Sequence, residues 1–158
     1  MEKQTLLTFE ICSEQFAVNV TKVLEVLEQQ QITPVPRAPQ FILGIINFRG
    51  EILPVINTRQ KFNVPFEAED LKHFVIVFET FANNEKQLVA ATADAVKDVI
   101  EIDISDIKPV PEMGLGYNTA FISGVVRYNE RFVLLIEPDQ VFSMNDKVAI
   151  LVAENELK

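Results

Sequence analysis

One histidine, one cysteine and a short run of acids are the residues of this 158-residue chain whose chemistry could exceed packing. His73 stands beside Phe74 at the head of an apolar run, and no second histidine exists to complete a zinc site. A Ser–His triad would rest on it alone, so it reads as a strand-end residue rather than a base or ligand. Asp98, Glu101, Asp103 and Asp106 have the density of a calcium loop. They lack its mid-loop glycine and bidentate glutamate, and on an alternating strand Glu101 and Asp103 point to solvent. Cys12 lies in an alternating apolar run, cannot form an internal disulfide, and reads as a small buried hydrophobe in a reducing compartment. Gly114-Leu-Gly116 is a fragment of a dinucleotide fingerprint without its third glycine, strand or helix. Asn19-Val-Thr21 is a glycosylation sequon only in form for a cytoplasmic chain. No catalytic residue, cofactor site or metal-ligand set is predicted.

Any activity must then come from surfaces, and composition limits what those surfaces meet. The formal charge of −9 opposes nucleic acid, which demands a basic stripe, and opposes an anionic membrane leaflet. The amino terminus lacks a signal-peptide core, and no apolar run reaches the ~18 residues of a spanning helix. The chain therefore reads as cytoplasmic, without membrane insertion.

Period-two alternation predicts strands over 7–11 and 16–20, and again over 100–105. Residues 42–48 and 51–57 make a hairpin turning at Arg49-Gly50, and 121–128 and 131–137 make another turning at Asn129-Glu130. Residues 74–80 and 88–94 flank a turn at Asn83-Asn84. Residues 22–27 read as strand or short helix, and the helical spacing of Val23, Val26 and Leu27 behind a capping Thr21 favours the helix. Pro34, Pro36 and Pro39 make 33–39 an extended rim, and Pro54 predicts an edge strand or a bulge. Residues 63–72 read as a connection and 110–117 as the longest loop. Pro138 opens a short helix through Phe142, and Asn145 caps another over the tail to Glu156.

The strongest signal is a duplication. Residues 41–62 align without a gap on 121–142 at an offset of 80, with six of 22 pairs identical, among them Gly44/Gly124 and Ile56/Ile136. Ile32–Pro36 matches Ile107–Pro111 at an offset of 75, and Val23–Leu27 resembles Val96–Ile100 at 73. Two copies of a small β unit predict an all-β fold of paired barrels, too small to stand apart.

Ile32-Thr-Pro-Val-Pro36, Gly44-Ile-Ile-Asn-Phe-Arg-Gly50, Pro54-Val-Ile-Asn-Thr-Arg59 and Ala93-Asp-Ala-Val-Lys-Asp-Val99 together resemble the CheW family of bacterial chemotaxis coupling proteins over nearly the whole chain. Phe48 and Asn57 depart from that family's leucine and aspartate. The resemblance implies one CheW-like domain over 1–158, built of two SH3-like five-stranded β-barrels with short helices. The first barrel would span about 1–64 and the second about 72–137, with 138–158 packing back. It implies a non-enzymatic adaptor between a chemoreceptor's cytoplasmic tip and the regulatory domain of the histidine kinase CheA. It assigns receptor contact to Val23, Glu25, Gly44, Arg49, Val89 and Ala90, and leaves the kinase contacts unassigned. Val23 would form groove wall, Gly44 would admit a helix close to the backbone, and Arg49 would bind carboxylates or carbonyls. The alternatives are a coupling protein of a non-flagellar array and, from another class, a small-molecule-binding or catalytic double barrel.

Overall fold

The structure, a computed structural model, describes residues 2–28, 30–61, 74–82, 84–110 and 122–141. These form ten strands: β1 (Lys3–Ile11), β2 (Glu14–Asn19), β3 (Val23–Leu27), β4 (Ile42–Phe48), β5 (Glu51–Ile56), β6 (Phe74–Ala82), β7 (Glu85–Ala93), β8 (Ala95–Asp103), β9 (Ile122–Tyr128) and β10 (Arg131–Ile136). Two four-residue helices, α1 (Thr58–Lys61) and α2 (Pro138–Val141), follow β5 and β10. His73, the connection 63–72, loop positions 111–117, Phe142 and the tail helix expected over 145–156 lie outside the described residues, as does most of the segment expected to pack back.

The strands form two five-stranded SH3-like barrels. Barrel I has the order β8-β1-β2-β10-β9, and barrel II the order β3-β6-β7-β5-β4. Matching β1–β5 to β6–β10, as the duplication does, makes these the same order with the repeats exchanged. Each barrel takes its first two strands from one repeat and its last three from the other. The expected boundaries of about 1–64 and 72–137 are thereby corrected. Barrel I is built from strands within 3–19, 95–103 and 122–136, and barrel II from strands within 23–27, 42–56, 74–82 and 85–93. At one crossing the cause is local. Only Asp94 separates β7 from β8, fewer than the two residues a hairpin turn needs, so the chain runs on into the other sheet.

The duplicated hairpins agree in register. Ile42 pairs with Ile56 and Ile122 with Ile136; the ladder then skips one residue on β4 and β9, and Gly44 meets Val55 as Gly124 meets Leu135. Arg49 and Gly50 have φ of 52° and 86°, and Asn129 and Glu130 have 51° and 65°. Two positive values at a two-residue loop are what a tight hairpin requires. The rim segments also repeat, since Thr33 bridges Ile45 and Lys108 bridges Val125.

Burial separates three apolar layers. Ile46, Phe48, Leu53, Val55, Val75, Val77 and Ala90 fill barrel II, and Leu6, Ala17, Ile100, Ile102, Val126, Val133 and Leu135 fill barrel I. The alternate residues of the same strands meet between the barrels. Leu7, Phe9, Ile11, Phe16, Val18, Leu134 and Ile136 face Ile42, Ile56, Ile76, Phe78, Val89, Ala91 and Ala93, seven from each side. Phe9 and Phe16 stack there with ring centroids 6.0 Å apart. A strand buried on both faces needs no alternation, which is why 74–78 and 88–91 read as continuous apolar runs.

Two local expectations change. Residues 23–27 are strand rather than helix: a 3-10 turn covers Val20–Lys22, and β3 then pairs antiparallel with β6. Ladder hydrogen bonds to β6, with Val23 packed against the layer between the barrels and Leu27 against the barrel II core, outweigh a short helix's costly nucleus. Pro54 sits on an internal strand, because β5 pairs with both β4 and β7. The parallel pairing with β7 begins at Val55, immediately beyond it, whereas in barrel I it begins at Leu134, the residue equivalent to Pro54. With no N–H at Pro54 the ladder starts one residue later, still with two pairs, and the strand is not placed at an edge.

Strand exchange makes the halves interdependent. A fragment of residues 1–72 is expected to give poorly dispersed amide spectra and no cooperative melt. Mixing it with 73–158 is expected to restore both. A sharp unfolding transition in either fragment alone would show that a repeat folds unaided.

Candidate functional site

The outer strands of barrel II, β3 and β4, carry three of the six predicted residues, and Arg49 follows on the turn after β4. Arg49 lies on the β4–β5 turn, where the amide of Gly50 donates to Asn47 Oδ1 at 3.0 Å. A Cβ on Gly50 would meet nothing within 4 Å, so the glycine serves the backbone angle rather than space. The turn aims the Arg49 guanidinium over the Phe48 ring, 4.8 Å from its centroid, and brings Nη2 to 3.2 Å from Glu25 Oε1 on β3. Since β3 and β4 are the two ends of the sheet, this pair spans the barrel's open side. Arg49 keeps 64% of its side chain exposed, enough for a partner's acceptors to reach it.

The other four predicted residues separate. Val23 is half-buried against the layer between the barrels, opposite Phe78. Gly44 is buried, and its own chain fills the space expected for a partner helix. A Cβ there would lie 2.3 Å from the Thr33 carbonyl oxygen and 2.8 Å from Ile32 Cγ2. Its role is to let the rim segment cross the sheet. Val89 and Ala90 are fully buried, one between the barrels and one inside barrel II. Paired with β6 and β5 and covered on both faces, they offer no side chain to a docking protein.

Exposed apolar side chains that sequence reasoning missed stand on the same outer strands: Leu24 and Val26 on β3, and Leu43 on β4. Leu24 and Leu43 are skipped by the ladders at register shifts, where a bulge turns a side chain outward. A second pair marks the hairpins, with Ile52 at 54% and Phe132 at 68% exposure in equivalent positions. Their alternation with buried Leu53 and Val133 was the available signal.

The acids assemble no ion site: among the described residues no group of three or more His, Cys, Asp or Glu could hold a metal. Glu101 pairs with Lys3, and Asp103 accepts the amide and hydroxyl of Ser105, which hold its carboxyl below the usual range. On β1, the hydrogen bond from Lys97 likewise lowers Glu10, against the opposing effect of burial. A cleft of about 190 Å³ lies at the end of barrel I, lined by Gln4, Asn19, Lys22, Ser123, Glu137 and Pro138 among others. It is smaller than the ~300–1,000 Å³ of common ligand pockets, and polar groups on its wall are already engaged. Asn19 caps the 3-10 turn, Lys22 pairs with Asp139, and Glu137 accepts the Asp139 amide. Among the described residues no helix is long and apolar enough to cross a membrane.

Paired, strand-exchanged barrels with an exposed arginine on one hairpin define a duplicated β scaffold whose surfaces are its distinctive chemistry. The model of the CheW-like domain matches residues 5–146, and the chain belongs to that family of chemotaxis scaffold and adaptor proteins. It is 30% identical to the chemotaxis protein CheW of Rhizobium meliloti (strain 1021) over 144 residues, covering 91% of this chain and 90% of that protein. It is 31% identical over 128 residues to protein FrzA of Myxococcus xanthus, covering 79% and 75%. The scaffolding protein TtCheW from Thermoanaerobacter tengcongensis has a similar structure, with a TM-score of 0.80, 29% identity and 92% of each chain covered.

The duplicated glycines differ in what crowds them. At Gly124 the nearest neighbour of an added Cβ is the Ile107 side chain at 2.6 Å, with the Lys108 carbonyl oxygen at 3.2 Å. Gly44→Ala is expected to destabilise the fold by about 2–4 kcal/mol, with Gly124→Ala costing less, because a side chain can give way where backbone cannot. Urea denaturation of both variants checks the order; equal or reversed losses would contradict it.

Proposed function

We propose that the chain is a cytoplasmic, non-enzymatic adaptor that binds a chemoreceptor's cytoplasmic tip and the regulatory domain of the histidine kinase CheA. The observation that carries this reading is the Arg49–Glu25 pair across the open side of barrel II, on strands that also expose Leu24, Val26 and Leu43. A receptor tip is a helical hairpin, and a helix docks by laying apolar positions on apolar surface while charged groups fix its register. Arg49 is held extended by the Phe48 ring and half-engaged by Glu25, so it reaches a carboxylate or carbonyl with little further loss of freedom. Glu25 belongs to this face through its pair with Arg49, and Val23 would border it from the layer between the barrels. Gly44 supports it from beneath by seating the rim segment, and Val89 and Ala90 act only as core.

The kinase side rests on the duplicated hairpins. Ile52 and Phe132 give each barrel one exposed apolar anchor at the same structural position. A partner with barrels of its own could meet either end with related contacts. A second reading, an adaptor for an array with an output other than flagellar swimming, is favoured by the similarity to FrzA, a relative whose name is not that of a chemotaxis protein.

Capture by a receptor cytoplasmic fragment and by a CheA regulatory domain tests the proposal. Arg49→Ala is expected to cost about 1–3 kcal/mol of receptor binding if the arginine is a hot spot, with kinase binding retained. Its exposed ion pair contributes only ~0–1 kcal/mol to the fold, so the variant is expected to melt close to the parent. Wild-type protein that captures neither partner would refute the adaptor reading.

A further inference from the structure

Two polar clusters lie where the chain crosses between barrels, and the duplication relates them with their charges reversed. In the first, Arg59 Nη2 on α1 sits 2.6 Å from Asp94 Oδ1, at the crossing from β7 to β8. Asp94 Oδ2 accepts the amide of Cys12, on the β1–β2 turn, at 2.6 Å. In the second, Asp139 Oδ2 on α2 sits 3.0 Å from Lys22 Nζ, at the crossing from β2 to β3, and Asp139 Oδ1 accepts the Phe81 amide at 2.9 Å. Arg59 and Asp139 are equivalent at the offset of 80. Asp94 corresponds to Thr21, the neighbour of Lys22, at the offset of 73. Cys12 and Phe81 correspond at an offset of 69, the one that places Phe9-Glu10 on Phe78-Glu79. The same three structural positions therefore meet twice: an exit helix, a crossing and a hairpin amide. Only the element bearing the acid differs.

Each cluster ties both barrels. Asp94 holds the helix leaving barrel II to the turn of barrel I, and Asp139 holds the helix leaving barrel I to β6 of barrel II. The fourteen-residue layer between the barrels supplies attraction, but apolar burial has no direction and does not by itself fix an angle. Charge-assisted hydrogen bonds do have direction, and these pairs are sheltered, with 12% and 21% exposure for Arg59 and Asp94 and 25% and 30% for Lys22 and Asp139. We infer that Asp94 and Asp139 are positioning residues that set the angle between the barrels, and so between the surfaces on which receptor and kinase would dock. The functional half of this inference rests on the adaptor reading; the angular half does not.

Residual dipolar couplings of backbone amides test the angle directly. The wild-type protein is expected to fit one alignment tensor across both barrels, and Lys22→Asp to need two. Lys22→Asp with Asp139→Arg rewrites the second cluster in the sign of the first, placing an acid at the crossing to receive the Phe81 amide, and is expected to restore a single tensor. Should Lys22→Asp unfold the chain, Asp139→Asn, which keeps the side chain's size, provides the same comparison. A variant that retains one tensor with the wild-type angle would overturn the inference. In a reconstituted receptor–kinase assembly, Lys22→Asp is expected to keep each separate partner affinity while kinase activation falls about fivefold or more, a typical coupling loss, and the double variant is expected to recover it. Loss of binary affinity in step with activation would assign these residues to docking rather than positioning. Failure of wild-type protein to bind either partner would remove the adaptor reading while leaving the tensor result to decide the angle.

Discussion

The layer between the barrels is the constraint on which the rest depends. Seven side chains from each barrel meet there, and they come from strands whose opposite faces already fill the barrel interiors. Where these strands cross the layer they are buried on both faces, so neither barrel could leave the other without exposing apolar surface. Strand exchange fixes this covalently, since each repeat contributes two strands to one barrel and three to its neighbour. Small barrels of this size gain little from isolation, and sharing a core offsets their unfavourable ratio of surface to volume.

Equivalent geometry has been given unequal surface chemistry. On barrel II the hairpin carries Arg49 above Phe48 and reaches Glu25; on barrel I the matching positions are Asn129, Tyr128 and Asp98, so the turn offers an amide where barrel II offers a guanidinium. Both turns keep the positive φ that aims their side chains outward. Duplication thus supplied two similarly presented hairpins, and substitution at a few exposed positions made them different. That division suits the proposed adaptor, which would hold two unlike partners on a stiff frame, because a change in one partner influences the other only through contacts that differ between states.

What the sequence revealed depended on the range of the interaction. The hairpins at 42–57 and 122–137 were legible because turn residues and alternating strands act over a few positions, and the offset of 80 returns as equal register in both. The division into barrels was not, since pairing of β1 with β8 links residues nearly a hundred positions apart. The helix expected over 22–27 failed for a related reason: an edge strand with a bulge scrambles period two, and its partner β6 lies fifty residues on. Arg49 and Glu25 came from family resemblance, and geometry joined them. The same resemblance named Val89 and Ala90, whose stretch of unbroken apolar residues in β7 marks burial on both faces. The inverted clusters at Arg59–Asp94 and Lys22–Asp139 were hidden because neither residue type nor sign repeats; only position does.

Native-state hydrogen exchange in rising denaturant measures most directly whether the barrels form one cooperative body. Amides of Leu6 and Ala17 report barrel I, and those of Val75 and Ala90 report barrel II, all from buried positions. If the shared layer and exchanged strands govern the fold, the four merge into one global opening with a common free energy. Exchange of the barrel II amides through a smaller opening, while those of barrel I stay protected, would contradict it.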